Sequence, residues 1–152
     1  MRVVFVRHGE RRAAELDPPL TSAGHKMVAE TARWLAAHQI VPDLCLLTAT
    51  TRTRQTAAGL LDHHGAVRRF EVPSLPETLG EWRDLVQSWQ PRLGDHGVLL
   101  LVGHHPTLGL LLEAFGPPPE AVPPGNVAAG LVVDRLFTGR WAISAAWPGH
   151  PG

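Results

Sequence analysis

Short apolar runs that end in polar residues recur along the chain. Residues 2–7 read RVVFVR, residues 43–48 read DLCLLT, and residues 97–103 read GVLLLVG between two glycines. Continuous apolar runs of this length are typical of strands buried on both faces of a parallel sheet. Residues 68–73, RRFEVP, predict one further and more polar strand. The pattern therefore predicts four strands spread over the first two thirds of the chain.

Segments with helical spacing of apolar residues separate these strands. Thr21 or Ser22 can cap the first helix, and Thr50 or Thr51 the second, because a hydroxyl oxygen can accept a hydrogen bond from a first-turn amide. The predicted helices cover residues up to about 38, 52–64, about 81–93 and 106–116. Strands and helices thus alternate four times.

The last third of the chain departs from this alternation. Residues 127–136 and 140–147 predict two strands on either side of the turn FTG, which is typical of a hairpin. Residues 147–152 predict a frayed tail. We therefore predict a single α/β domain over residues 1–152, in which a mainly parallel sheet and a C-terminal hairpin lie between helices on both faces, as a three-layer α/β/α sandwich.

Composition narrows the class of protein. The chain has 152 residues, with 14 Lys and Arg against 14 Asp and Glu, so it lacks the basic excess that general nucleic-acid binding needs. A single cysteine excludes a disulfide within the chain. No apolar run is long enough to cross a membrane and no signal peptide is visible. We expect a cytoplasmic protein without a nucleic-acid or membrane partner.

Four polar side chains follow the predicted parallel strands where those strands end. Arg7 and His8 follow the first strand, Arg52 follows the second, and His104 follows the fourth. In open α/β sheets, ligands bind beyond the carboxyl ends of the strands, so these residues are expected to share one rim. Guanidinium groups match phosphate oxygens, and two helices begin at the same rim. The sequence therefore predicts a phosphate site.

A histidine among arginines has a defined chemical use. Nearby positive charge disfavours the protonated imidazole, so His8 would stay neutral and nucleophilic. Gly9 would let the chain leave the strand sharply and let a phosphate approach closely. No Asp, Glu or Cys accompanies these histidines at metal-ligand spacing, so we expect no metal and no cofactor.

The motifs resemble those of the histidine phosphatase superfamily, whose fold is phosphoglycerate mutase-like. The similarity is carried by VRHGE, DPPLTSAG, LTATTRTRQTA and LLLVGHHPTL, in that order. Among family members, the small phosphohistidine phosphatases of the SixA type are the most similar. Thr48 and Ala49 depart from the family pattern, which has Ser-Pro there, and His105 stands where asparagine is common.

The resemblance implies roles for individual residues. His8 would attack phosphorus and carry the phosphoryl group, while Arg7, Arg52 and His104 would bind its oxygens. The same resemblance makes Glu77 the first candidate for the general acid, with Glu81 as the alternative. Gly9 and His105 are further candidates for substrate contacts, and Glu10 has no assigned role.

Three functions remain as alternatives. One is hydrolysis of phosphohistidine on a protein, the second is hydrolysis of a small phosphomonoester, and the third is phosphate binding without catalysis. Inorganic phosphate would be the product of the first two. The short connections at the predicted rim indicate an open site, which disfavours a mutase because a mutase must exclude water from its intermediate. We expect a phosphatase that acts on protein phosphohistidine.

Overall fold

A six-stranded sheet lies at the centre of the computed structural model, which describes residues 1–13 and 15–152. In spatial order its strands are β3 (Arg68–Val72), β2 (Leu44–Thr48), β4 (Val98–Gly103), β1 (Arg2–Arg7), β6 (Gly130–Arg135) and β7 (Trp141–Trp147). The first four are parallel, and β6 and β7 form an antiparallel hairpin whose first strand pairs with β1. The predicted α/β class is confirmed.

Four helices cover the sheet within the described ranges 1–13 and 15–152. They are α1 (Ser22–Ala37), α2 (Thr51–Leu61), α3 (Leu79–Leu93) and α4 (His105–Phe115). Thr21 caps α1 by accepting a hydrogen bond from the amide of Gly24, and Thr50 caps α2. None of the described helices is both long and apolar enough to cross a membrane.

Alternate residues of the strands build two separate cores. In β1, Val3 and Phe5 face the core that includes residues of α3 and α4, whereas Val4 and Val6 face the core that includes residues of α1 and α2. All four are fully buried. Because successive side chains of a strand point to opposite faces, an uninterrupted apolar run is needed between two helical layers.

The first strand of the predicted hairpin is interrupted. Residues 126–127 form a separate strand, β5 (Asn126–Val127), and β6 begins only at Gly130. Between them Ala128 has a φ of 56°, which breaks the extended backbone. The amide of Ala128 donates to the carbonyl of His8 and its carbonyl accepts from the Thr31 hydroxyl, so tertiary bonds hold this break in place.

The end of the chain is paired, which differs from the predicted frayed tail. Residues 150–151 form β8 (His150–Pro151), which pairs with β5 in a two-stranded antiparallel sheet. The His150 ring also pairs with the carboxylate of Glu30 on α1. Both contacts join residues more than twenty positions apart, so local sequence patterns do not predict them.

Two glycines allow α1 to approach the turn that follows β1. A Cβ atom on Gly24 would lie 2.2 Å from the carbonyl oxygen of Glu10, and one on Gly9 would lie 2.8 Å from the carbonyl oxygen of Gly24. Both neighbours are backbone atoms, which cannot move aside as a flexible side chain can. This contact therefore requires glycine at both positions.

We expect Gly24→Ala to lower the free energy of unfolding by about 1–3 kcal/mol, as overpacking does. Gly109→Ala, also in a helix, is the matched control, because its new Cβ would meet nothing closer than a His105 ring atom at 4.0 Å. That control should be neutral or stabilising by up to about 1 kcal/mol. Urea unfolding of both variants is the measurement, and equal effects would contradict the close approach.

Candidate active site

His8 is held by the sheet on both sides. Its amide donates to the carbonyl of Gly103 at 3.0 Å, and its carbonyl accepts from the amide of Ala128 at 3.0 Å. The residue is only 5% exposed. Gly103 is the last residue of β4 and Ala128 lies just before β6, and both strands neighbour β1 in the sheet. The backbone that carries the His8 ring is therefore fixed at the carboxyl edge of the sheet.

The His8 ring has a defined tautomer. Its Nδ1 lies 2.8 Å from the carbonyl oxygen of Gly9. A carbonyl oxygen can only accept, so Nδ1–H donates and Nε2 keeps its lone pair. Burial lowers the pKa of His8 to about 4, and the charges of Arg52, His104 and Arg7 contribute in the same direction. At neutral pH the ring is therefore an uncharged base with a free nucleophilic nitrogen.

The backbone carbonyl and the backbone amide of Gly9 both form hydrogen bonds. Its carbonyl accepts from His8, and its amide donates to the Thr56 hydroxyl at 3.1 Å. That hydroxyl donates in turn to the carbonyl of Arg52 at 2.7 Å. Thr56, which the sequence analysis did not single out, thus connects the turn after β1 to α2. A direct contact between Gly9 and substrate stays a prediction.

Arg52 lies in the first turn of α2, and a loop from another part of the chain holds that turn. The Asp17 carboxylate accepts from the amide and the hydroxyl of Thr51, at 2.9 and 2.7 Å. The amide of Leu20 donates to the side chain of Gln55 at 2.7 Å. These bonds position the turn, although a cation there is unfavourable with respect to the helix dipole.

Arg7 reaches across the rim towards β5. Its Nη1 donates to the carbonyl oxygen of Asn126 at 2.8 Å. Within residues 1–13 and 15–152, the buried Nε atoms of both Arg7 and Arg52 have no hydrogen-bond partner. Burial lowers the pKa of both arginines, and the charge of Arg11 adds to this effect. Buried donors without acceptors favour an anionic ligand.

His104 stands next to His8 with its own hydrogen bonds. The two ring centroids are 5.3 Å apart, in an edge-to-face arrangement. Arg52 Nη2 lies 3.4 Å from His104 Nδ1, and because a guanidinium can only donate, Nε2–H donates to the Thr48 hydroxyl at 2.8 Å. Thr48 therefore orients His104. Burial, then Arg52 and Arg7, lower the pKa of His104.

The two candidate acids differ in what they bind. The Glu81 carboxylate accepts from the amide of Glu77 and from the Thr78 hydroxyl, both at 3.2 Å, so it stabilises the start of α3. Glu77 is exposed on the loop before that helix. Leu75 anchors this loop at the rim, since its Cδ1 lies 2.6 Å from where a Cβ on Gly103 would be.

Two further residues of the motifs are Glu10, which has no predicted role, and His105, a predicted substrate contact. Glu10 accepts from the Thr21 hydroxyl at 2.9 Å, which connects it to the cap of α1. His105 is exposed as the first residue of α4. In the described part of the chain, no group of three or more His, Cys, Asp or Glu residues is arranged to hold a metal ion.

A family model matches more than half of the chain. The family model described as the histidine phosphatase superfamily (branch 1) matches residues 3–97. Comparison with curated proteins found no match.

The fold is shared with many solved structures, of which three are representative. A protein assigned as the phosphohistidine phosphatase SixA of Agrobacterium tumefaciens has a TM-score of 0.75 and 24% identity, with 96% of each chain covered. A protein histidine phosphatase SixA complexed with tungstate gives 0.72 and 24%, again with 96% of each chain covered. A mycobacterial glucosyl-3-phosphoglycerate phosphatase gives 0.69 and 18%, covering 98% of this chain and 99% of that one.

The proton affinity of His8 can be measured directly. We expect nitrogen NMR at neutral pH to show Nδ1 protonated and Nε2 unprotonated, with titration near pH 4 rather than near the ordinary value of 6.5. The spectrum of His8→Asn would identify the signal, and a midpoint near 6.5 would contradict the buried neutral ring.

The lowered pKa of His8 also makes the stability of the fold depend on pH. The unfolded chain takes up the His8 proton at about pH 6.5, whereas the folded chain does so only near pH 4. Protonation therefore favours unfolding, and stability associated with His8 is present above pH 6.5 and lost as the pH falls towards 4. His8→Asn should remove this part of the acid destabilisation.

Proposed function

Since the chain belongs to the histidine phosphatase superfamily, we propose that it is a metal-independent phosphatase that forms a phosphohistidine on His8 and acts on phosphohistidine carried by a protein. The observation that carries the chemistry is the buried, neutral His8 ring with its Nε2 lone pair free, beside two arginines whose buried Nε atoms have no partner among the described residues. Nucleophile and anion site lie at one sheet edge.

His8 would act in two steps. Its Nε2 attacks phosphorus in line, so that a bond from Nε2 to phosphorus forms while the bond from phosphorus to the substrate nitrogen breaks. A proton goes to the departing imidazole. Water then attacks the phosphoryl group on His8, inorganic phosphate leaves, and the ring regains its neutral form. The hydrogen bond from Nδ1 to Gly9 keeps the ring oriented through both steps.

Arg7, Arg52 and His104 would stabilise the phosphoryl oxygens. Fixed positive groups act where charge is spread in the transition state, and here they are oriented before the substrate arrives. The pKa values of all three are lowered by burial and by neighbouring positive charge. A dianionic phosphoryl group would reverse this repulsion and favour a protonated His104, which could then donate from Nδ1 as well as to Thr48.

Glu77 is our candidate for the group that handles the leaving-group proton. Its neighbour Glu81 is engaged at the start of α3, which leaves Glu77 as the carboxylate available on the anchored loop. A phosphohistidine substrate makes a modest demand on this acid, because solvent can protonate a departing imidazole more easily than a departing alkoxide.

The proposed substrate class is supported by the shape of the rim. Residues 73–78 connect β3 to α3, and residues 116–125 connect α4 to β5. Connections of this length are of ordinary size for such folds, which supports an open rim that a phosphoryl group on a protein surface could reach. The SixA structures, which match almost end to end, favour the same substrate, whereas the mycobacterial sugar-phosphate phosphatase favours a small phosphomonoester as the alternative.

A comparison of kcat/KM values between substrates can identify the substrate class. We expect the protein to hydrolyse a phosphorylated histidine-containing transfer domain with a higher kcat/KM than any of a panel of sugar and nucleotide phosphomonoesters. His8→Ala is the control for the mechanism and should lose activity on every substrate. Faster turnover of a sugar phosphate would reject the protein substrate, and full activity of His8→Ala would reject the nucleophile.

Two neighbouring arginines allow a matched test of the anion site. Arg52→Ala should lower kcat by roughly two to three orders of magnitude, as the loss of one oxyanion donor does. Arg54→Ala removes the same charge from the same helix, but Arg54 is exposed and pairs with Glu71. That control should change the rate by less than roughly threefold, since exposed ion pairs contribute little. Equal losses would contradict the role of Arg52.

A further inference from the structure

A cavity of about 400 Å³ lies beside His8, and its lining includes Arg11 and Arg12, to which the proposed phosphoryl chemistry gives no role. Its charged side chains are those of Arg7, Glu10, Arg11 and Arg12, and the last residue, Gly152, also lines it. We call it the arginine cavity. Its size is sufficient for part of a small ligand or for one or two side chains of a protein.

Positive charge dominates the arginine cavity. Three arginines face the Glu10 carboxylate and the last residue, Gly152, whose carboxyl group adds at most one further negative charge, and Glu10 already accepts a hydrogen bond from Thr21. The nearest ion-pair contact of Arg12 among the described residues is with Glu15, at 3.8 Å and largely exposed. Exposed pairs at that distance neutralise little charge. The cavity thus carries cations in excess of their acidic partners.

Arg11 is close enough to the phosphate-binding arginines to act on them. Its charge contributes, after burial, to the lowered pKa of both Arg7 and Arg52. Three guanidinium groups that repel each other cost free energy in the absence of an anion. One phosphoryl group on Arg7 and Arg52 would leave Arg12 with only its long contact to Glu15, and Arg11 with no ion pair among the described residues.

The segment that carries these arginines has a fixed backbone. Arg11 forms an antiparallel bridge with Leu20, and the amide of Arg12 donates to the carbonyl of Pro19 at 2.9 Å. Leu20 is itself bound to Gln55 of α2. Arg11 and Arg12 therefore lie in a turn whose backbone is fixed by hydrogen bonds, and their Cα atoms have defined positions near His8.

We propose that the arginine cavity binds a second anionic group of the substrate, a carboxylate or a phosphate, close to the phosphoryl group that His8 receives. This rests on the proposed function, because the cavity is continuous with that site through Arg7 and His8. Arg11 and Arg12 are the specificity residues. The anion comes either from an acidic side chain next to the phosphohistidine of a protein or from a second acidic group on a small phosphoester.

The first arm of the test uses two aryl phosphates of the same shape. 3-Carboxyphenyl phosphate carries the second anion, and 3-carbamoylphenyl phosphate is its neutral counterpart. We expect the protein to favour the carboxylate by roughly tenfold in kcat/KM, the worth of one charge-assisted hydrogen bond. The preference should fall as salt is added, because exposed cations are screened.

Variants connect that preference to the cavity. The double variant Arg11→Gln, Arg12→Gln should bring the ratio of the two kcat/KM values to about one. The double variant Arg33→Gln, Arg83→Gln makes the same change in net charge at exposed positions of α1 and α3, and it should keep the ratio. Using the ratio cancels any general loss of rate that a variant causes with both substrates.

The second arm identifies the source of the anion. Two synthetic phosphohistidine peptides are compared, one with glutamate and one with glutamine on either side of the phosphohistidine. A preference for glutamate that the Arg11, Arg12 variant abolishes supports an acidic protein surface, and a preference only among the aryl phosphates supports a small ligand.

The proposal and the proposed function fail in different ways. If the protein hydrolyses these substrates but shows no preference in either arm, the arginine cavity is not an anion site. The same holds if both double variants reduce the ratio equally. If no phosphorylated substrate is hydrolysed at all, the proposed function itself is wrong.

Discussion

The pairing of β1 on both of its edges is the constraint on which the site depends. β1 lies between parallel β4 and antiparallel β6, and its hydrogen bonds continue into His8 through Gly103 and Ala128. Four consecutive buried residues anchor the strand in two cores. A ring that starts from such a backbone has little freedom, so its orientation is set before any ligand binds, which is the condition for a preorganised nucleophile.

Electrostatics at the rim follow from the same burial. Desolvation is the leading cause of the lowered pKa values of His8, His104, Arg7 and Arg52, and neighbouring positive charge, that of Arg11 in the case of the two arginines, adds to it. All four groups are therefore shifted away from their charged forms. An anion placed among them would be stabilised by hydrogen-bond donors that are already oriented. In a water-filled site, water molecules would first have to reorient to stabilise the same anion.

Much of this arrangement could be anticipated from patterns along the chain. Apolar runs predicted the parallel strands, hydroxyl caps predicted the starts of α1 and α2, and the rule for α/β sheets predicted that Arg7, His8, Arg52 and His104 share an edge. Contacts between distant segments could not be predicted in this way. Thr56, which bridges Gly9 and Arg52, and the paired tail at His150 carry no local signal, because each depends on a partner far away in sequence.

The sequence by itself determined the layers of the fold and which polar residues end each strand, because burial on two faces demands uninterrupted apolar runs and strand ends must reach solvent. The tertiary structure decided how those residues work. It assigned the proton of His8 to Nδ1 through the Gly9 carbonyl and oriented His104 through Thr48. It also grouped Arg11 and Arg12 with the site, since hydrogen-bond direction and charge proximity exist only once distant segments are packed together.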